Sequence, residues 1–592
     1  ILGNNYIKIS LKGSEQNPNA IGAKIEITTS NMKLFHELQP VRGFQSSMDL
    51  LPTIGVGNEE SVDLRITWPL GEVTVFKDLT VNKKHVFNVS DSKKNVEENI
   101  YSEILLFEKV ENKNYPIHKE NIFVDFHRER LNYHMLSTQG PKISLADLNS
   151  DGKNDIVFPG AKGIPSQILF SNDFGYTSDK KNEKLLESIK DIEHIESAIF
   201  DADNDGDLDI YFTSGGVENS IYTLSLYDVL LINDGTGIFT KSNQLLPSKD
   251  SKISSESVAF SDIDSDGDID LFVGERSKIG KYGLPGSGYL LVNDGFGNFA
   301  DMTHILSPEL IDIGMITDAV FMDFDNDKDP DLLIVGEFMG VNFFENKNGE
   351  FKLIDNKWND KYGWWNVIDL FDIDGDKDMD IVIGNHGTNS RFKASESMPI
   401  TCYYNDFDNN GRGEGVLFFT ADNGKEYPYA LRHNLIDQMK SLKKKFPNFK
   451  SFKNADLNSI FSIESINNSY KCQVNYLSTI ALKNEGNFNF SQIKLPIQVQ
   501  FSPIYSIAHL DADKDGDLDL LMGGNLYNVK PEFGIYDASY GIYLENTPNE
   551  LKFYPNGKGF NLKGEVRSIV VDKKNIWVAR NKDTLAHFII KE

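Results

Sequence analysis

At 592 residues the chain is too long for one ordinary domain, although repeated sheets can hold several hundred residues in one ring. Its 88 Asp and Glu against 60 Lys and Arg give a formal charge of −28, a surface that does not invite nucleic acid or anionic lipid. No stretch is long and apolar enough to make a membrane-spanning helix.

The first residue is Ile rather than Met and no signal peptide opens the chain, so it reads as a processed or truncated piece with any targeting signal upstream. Over residues 1–92 the runs YIKISL, AKIEITT and VDLRITW alternate apolar and polar residues between Gly-rich turns, which predicts a small antiparallel β-sandwich. Ser90 to Asn99, charged and without periodicity, reads as a linker to a second domain over 100–592.

That second domain repeats one nine-residue pattern seven times, with an acid or amide at positions 1, 3, 5 and 9 and Gly usually at 6. The side chains expected on a metal are Asp147, Asn149, Asp151 and Asp155; Asp201, Asp203, Asp205 and Asp209; Asp262, Asp264, Asp266 and Asp270; Asp323, Asp325, Asp327 and Asp331. Then come Asp372, Asp374, Asp376 and Asp380; Asp406, Asp408, Asn410 and Glu414; Asp511, Asp513, Asp515 and Asp519. Position 7 is expected to give only its backbone carbonyl, from Lys153, Asp207, Asp268, Asp329, Asp378, Arg412 and Asp517. Oxygens at every second residue, closed by a carboxylate at 9, wrap one hard cation, and their number and charge favour Ca²⁺ over Mg²⁺. The loops hold 31 of the 88 acids, so seven bound Ca²⁺ would halve the net charge to about −14.

Gly at position 6 supplies a positive φ without steric cost; Lys328 and Lys377 break that rule at roughly 1 kcal/mol each. An acidic run is more often a solvated face, but short apolar runs frame these, such as SAIF before and LDIYF after the second. Each loop therefore reads as the turn of a β-hairpin. No recurring His or second acid accompanies the loops to act as a base, which makes the metal a structural staple.

The loop starts are spaced for four-stranded blades except at two steps. The Asp406 loop reads as an insertion in the outer hairpin of the fifth blade, and residues 429–461 as a helical insertion carrying a basic run around Lys440 to Phe446. VRSIVVD, NIWVARN and TLAHFII form a last hairpin without acids, and ENIFVDF, residues 120–126, is expected to supply its missing outer strand. The fold class is all-β: a seven-bladed β-propeller with calcium loops, six or eight blades being the competing counts, preceded by the small sandwich. Cys402 and Cys472 read equally as a disulfide or as two unpaired buried thiols.

The repeats resemble the FG-GAP or VCBS calcium-loop repeats of integrin-like propellers over roughly residues 100–592. The amino-terminal segment resembles the ASPIC/UnbV domain through Asn17-Pro-Asn-Ala-Ile-Gly-Ala-Lys24 and Trp68-Pro-Leu-Gly71, with Leu70 where that family usually has a polar residue. Together they are similar to the carboxy-terminal half of surface VCBS-repeat lipoproteins of Bacteroidetes. The segments carrying that likeness are His118 to Phe126, Gly363-Trp-Trp, Lys425 to Pro428 and Lys530 to Tyr540. The resemblance implies the extracellular face of the outer membrane, secreted or periplasmic location being the alternative, with protein partners there that include a TonB-dependent importer.

The expected function is a non-catalytic, calcium-stabilised binding or scaffold protein that assists nutrient uptake. The alternative is a carbohydrate-active lyase or hydrolase, or a glycan-binding lectin; a purely structural spacer is the third reading. For an enzyme, His386 and His509 are the residues to inspect. For glycan stacking they are Trp364, Trp365, Tyr536 and Tyr540, although such aromatic residues more often pack between blades.

Overall fold

The computed structural model describes residues 4–30, 32–91, 105–112, 114–548 and 550–591. The chain divides into two compact units, residues 1–104 and 105–592. The predicted linker lies, from residue 92 on, outside the described residues.

In the first unit two sheets share one core. Lys24–Thr28, Lys33–Glu37, Ser61–Thr67 and Val73–Thr80 form a four-stranded antiparallel sheet; Asn5–Lys12 lies between Thr53–Gly57 and Lys83–Asn88 in a three-stranded one. Period-2 alternation turns Ile7, Ile9 and Leu11 inward against Ile25, Ile27, Leu64 and Ile66. The sandwich is not wholly antiparallel, because Lys83–Asn88 runs parallel to Asn5–Lys12. The chain crosses between sheets at Val81-Asn82, where Asn82 is left-handed at φ 58°, and re-enters alongside the first strand in its own direction. Asn17 fixes the turn after that strand, its amide donating to the Ile21 carbonyl at 2.9 Å and accepting from the Ile21 N–H at 3.0 Å. Trp68 is buried and donates to Thr74 Oγ1 at 2.9 Å.

The second unit is built of seven antiparallel sheets, six of four strands and the fourth of five because Gly363–Trp364 pairs with Asp331–Met339, and one inserted sheet among the described residues. The first strands of the seven are Ser144–Ala146, His194–Phe200, Ser254–Ser261, Met315–Met322, Val367–Phe371, Ile504–Leu510 and Glu565–Asp572. Each contacts the first strand of the next sheet, and the last contacts the first. A separate apolar cluster fills every one of these junctions, including Ile156 and Phe158 against Trp577 and Ala579 between the seventh sheet and the first. Second strands such as Asp209–Ser214 and Asp331–Met339 are buried along their whole length, because both their faces meet a neighbouring sheet.

Two sequence expectations are corrected here. The outer strand of the last sheet is Phe107–Val110, paired antiparallel with Ala586–Ile590, and residues 120–126 form no strand. In that stretch the Asp125 carboxylate turns inward and accepts the Leu136 N–H at 2.6 Å and the Ser137 N–H at 3.2 Å, so the segment caps a buried crossing instead of joining a ladder. The Asp406 loop is not an addition to the fifth sheet's outer hairpin. Its strands Ile400–Asn405 and Glu414–Thr420 join Glu426–Pro428 and Tyr470–Val474 in a sheet of their own, inserted between the second and third strands of the fifth sheet.

The insertion is helical as expected but broken into five short helices between Arg432 and Asn467. New N-caps arrive too often for one long helix: Asn448, Asp456 and Ser462 each accept a backbone N–H three residues on. Leu435, Ile436, Met439 and Ile460 from these helices pack on Val416 and Phe418 of the inserted sheet. Cys402 and Cys472 face each other across its strands as free thiols.

Candidate metal centres

All seven acidic loops join the first and second strands of a hairpin, six in the repeated sheets and one in the inserted sheet. Two left-handed residues make the tight coil. Position 6 has φ between 78° and 99° in every loop, with Lys328 at 84° and Lys377 at 78°, so both lysines accept the strain. Position 4 is left-handed as well, from Asn409 at 57° to Gly375 at 78°. The coil aims its N–H groups inward: the position-5 side chain accepts the N–H of position 7 in all seven loops at 2.9–3.0 Å.

The closing acid is the anchor. Asp155, Asp209, Asp270, Asp331, Asp380, Glu414 and Asp519 are buried, and one oxygen of each accepts the N–H of position 2 at 2.9–3.1 Å. In the six repeated sheets the other oxygen accepts an N–H from the third strand, as from Asn233 at 2.7 Å and Asn346 at 2.9 Å. Burial outweighs these bonds and pushes the acids up, to about 6 at Asp155, Asp209, Asp380 and Asp519 and about 7 at Asp270, Asp331 and Glu414.

Positions 1, 3 and 9 converge. In the sets Asp201, Asp203, Asp209; Asp262, Asp264, Asp270; Asp323, Asp325, Asp331; Asp372, Asp374, Asp380; and Asp406, Asp408, Glu414, one oxygen from each acid lies within 4.8 Å of the others. Several oxygens at positions 1, 3 and 9 of the loops are buried with no hydrogen-bond donor: Oδ1 of Asp201, Asp203, Asp408 and Asp511, and Oε1 of Glu414. Negatively charged oxygens withdrawn from water and left without a donor fit a bound cation. The position-5 side chains, which lie at the exposed lip, are held toward position 7. Side chains at position 7 are engaged elsewhere, Lys153 Nζ with Asp173 at 2.7 Å and Asp329 Oδ2 with the Asn348 N–H at 3.2 Å, which leaves the carbonyl as their contribution. The fifth loop differs: the Lys483 ammonium bonds both Asp374 and Asp376, the latter at 3.0 Å, and competes with a metal there.

One recurring residue escaped the sequence reading. Asn233, Asn293, Asn346 and Asn546, each at the end of a third strand, donate from Nδ2 to the position-2 carbonyl of the preceding sheet's loop: Leu148 at 2.9 Å, Ala202 at 2.8 Å, Ile263 at 2.9 Å and Ile373 at 2.6 Å. Asn346 also donates to the Pro330 carbonyl of its own loop at 3.1 Å, so it latches two acidic loops together. Its signal is the Asn in INDG, VNDG, ENKN and ENTP, hidden because its distance from the loop varies. Asn346→Ala, which strands two buried carbonyls, is expected to cost about 2–4 kcal/mol by denaturant unfolding; a loss under about 0.5 would dismiss the latch.

The other singled-out residues lie apart from the loops. His386 is buried among Trp364, Phe392 and Tyr536, and burial drives its imidazole down to about 3, so it stays neutral. His509 stacks on Phe371 and is held up by Asp369, 3.1 Å away. Trp364, Trp365 and Tyr536 are core side chains, whereas Tyr540 is half exposed. In the basic run Leu442 and Phe446 are buried while Lys443 and Lys444 face solvent.

Comparison with known families assigns residues 13–94 to the ASPIC and UnbV family and residues 201–273 and 323–383 to the FG-GAP-like repeat. The two repeat matches span the second and third loops and the fourth and fifth. No curated protein matches the chain. Among solved structures it is similar to the V. cholerae biofilm matrix protein Bap1, at 11% identity and TM-score 0.30 over 80% of this chain and 90% of that one. It is also similar to a catalytically inactive virginiamycin B lyase from Staphylococcus aureus, at 11% and 0.34 over 82% and 99%. A third is the extracellular domain of the hybrid two-component system BT4673 from B. thetaiotaomicron, at 11% and 0.33 over 82% of this chain and 39% of that one. Likeness at this level carries no inference about function.

Proposed function

We propose that this chain, which joins an ASPIC and UnbV domain to FG-GAP-like repeats, is a non-catalytic extracellular scaffold whose seven sheets form a closed propeller pinned by Ca²⁺. The observation that carries the reading is the cradle that recurs at the first hairpin of six of the seven sheets and in the inserted sheet, with its buried acid anchor and donorless oxygens. Closure is supported by the cyclic order of first-strand contacts and by Phe107–Val110 completing the last sheet. The seven loops supply up to seven structural sites, held by the side chains at positions 1, 3, 5 and 9 and the carbonyl at 7. Bound Ca²⁺ would neutralise the loops' self-repulsion and fix the first hairpin of six of the seven sheets and the hairpin of the inserted one.

Sites of this kind load where calcium is plentiful, which supports a location outside the cytosol. On the family resemblance we place the protein at the bacterial outer surface as an accessory to a nutrient importer. The test is purification of the native protein from outer membranes under mild detergent with calcium. A stoichiometric importer-sized partner that dissociates in chelator is expected; recovery of the protein alone, or glycan turnover by the pure protein, would contradict the proposal.

A further inference from the structure

One cavity in the second unit differs in charge from the acidic surface around it. It holds about 350 Å³ and lies between the crossing segment Arg128 to Asn132, the turn Ile279 to Lys281 and the far side of the sixth acidic loop, Gly411 to Gly415. Four cations line it, Arg128, Arg130, Lys281 and Arg412, against two carboxylates, Glu129 and Glu414. In a chain of charge −28, that local excess of positive charge is the reverse of the average.

The cations are not consumed internally. Arg128 is committed, donating to the Val217 carbonyl and lying 5.5 Å from the Phe123 ring. Arg130, Lys281 and Arg412 are exposed, and among the described residues none of their side chains pairs with a carboxylate. The two acids are both occupied otherwise. Glu129 accepts the Tyr282 N–H at 2.9 Å, and Glu414 closes the sixth loop, accepting the Phe407 N–H at 3.1 Å.

Glycine lets the cavity wall pack closely against its neighbours. A Cβ on Gly413 would come within 2.4 Å of the Tyr404 ring, and one on Gly415 within 2.5 Å of the Tyr282 carbonyl. Tyr404 and Gln438 complete the wall with a ring and an amide. Two guanidinium forks and an ammonium converge on oxyanion chemistry, carboxylate or sulfate, and the volume admits a body of one or two sugar rings.

We propose that this cavity binds a small acidic saccharide, a uronate or a sulfated sugar, with Arg130, Arg412 and Lys281 receiving its anionic group. This goes beyond the scaffold reading and rests on the cavity lining alone, so its failure would leave the calcium result untouched. The experiment is titration calorimetry on the full chain in calcium with glucuronate, galacturonate, a sulfated monosaccharide, glucose and sodium sulfate. Acidic sugars are expected to bind and glucose not to bind. The Arg130→Gln/Lys281→Gln double variant, which removes only exposed side chains outside the acidic loops, is expected to unfold at the parent temperature and to bind at least about 30-fold more weakly. Absence of binding by every acidic sugar, or unchanged binding by a folded double variant, would overturn the proposal. Equal affinity for sodium sulfate would overturn it too, reducing the cavity to an adventitious ion site.

Discussion

Stripping divalent ions from the protein is expected to lower its unfolding temperature by about 10–20 °C in a calorimetric scan, with recovery when calcium is restored. At a concentration 100 times the dissociation constant one site adds about 2.7 kcal/mol, so four to seven sites are worth about 11–19, as much as the whole stability of an ordinary domain at about 5–15. For a unit of this size the unfolding entropy is about 1 kcal/mol per degree, which converts such losses to that temperature range. Magnesium at the same concentration is expected to restore less, because it holds its water and demands a smaller octahedral cage.

The same experiment has a pH signature. The seven closing acids have folded-state values raised to about 6–7 by burial, above those of free carboxylates. A raised acid favours folding when protonated, so metal-free protein is expected to lose stability as pH rises from about 5 through 7. Calcium requires the ionised form, which carboxylates of the unfolded chain, titrating at about 4, already hold over this interval, so the calcium-loaded protein is expected to keep a nearly constant stability there and to lose it only below about pH 5. Buried His118, His194 and His386, driven down to about 3, oppose the metal-free trend, since the unfolded chain gains their protons as pH falls. His587, driven down to about 4, acts with them, while burial raises Glu129, Glu196 and Glu275 to about 7 on the side of the closing acids. Parallel slopes with and without calcium would contradict the assignment.

Asp331→Ala is expected to be the most damaging single substitution in the repeats, at about 4–6 kcal/mol by denaturant unfolding in calcium. Asp331 is fully buried and accepts the N–H groups of Phe324 and Asn346, both at 2.9 Å. Removing the carboxylate strands two buried donors at about 1–3 kcal/mol each and removes the fourth metal site. Asp327→Asn, at the exposed fifth position of the same loop, keeps an acceptor for the Asp329 N–H and is expected to cost about 1 kcal/mol. Equal losses at the two positions would mean that the closing acid has no special role.

The loops were legible because the metal demands a fixed spacing of oxygens within nine residues, and because apolar runs such as SAIF and LDIYF mark the strands on either side. The sheets followed from those runs, and the left-handed turn from Gly206 and its counterparts. The left-handed residue at position 4 was hidden because Ser150, Asn204, Ser265 and Lys514 share no obvious chemistry; only the observed backbone shows that they share a conformation.

Long-range pairings were the least legible. Phe107–Val110 reads FEKV, with Glu108 and Lys109 exposed, and nothing local reveals that its partner is Ala586–Ile590 near the other end of the chain. ENIFVDF looked more like a strand, but Asp125 had a buried capping role that a hydropathy pattern cannot register. The parallel pairing of Lys83–Asn88 and the separate sheet around the Asp406 loop were missed for the same reason, since both are set by where the chain returns rather than by what it is made of.

The most direct test of the calcium assignment is a crystal structure grown in millimolar calcium, with anomalous data to locate the ions. Density at the acidic loops is expected, each ion 2.3–2.6 Å from oxygens of positions 1, 3, 5 and 9 and from the carbonyl of position 7, as calcium–oxygen distances of about that length require. Loops that keep their coil in that crystal while holding only water, with the ions elsewhere or absent, would contradict it.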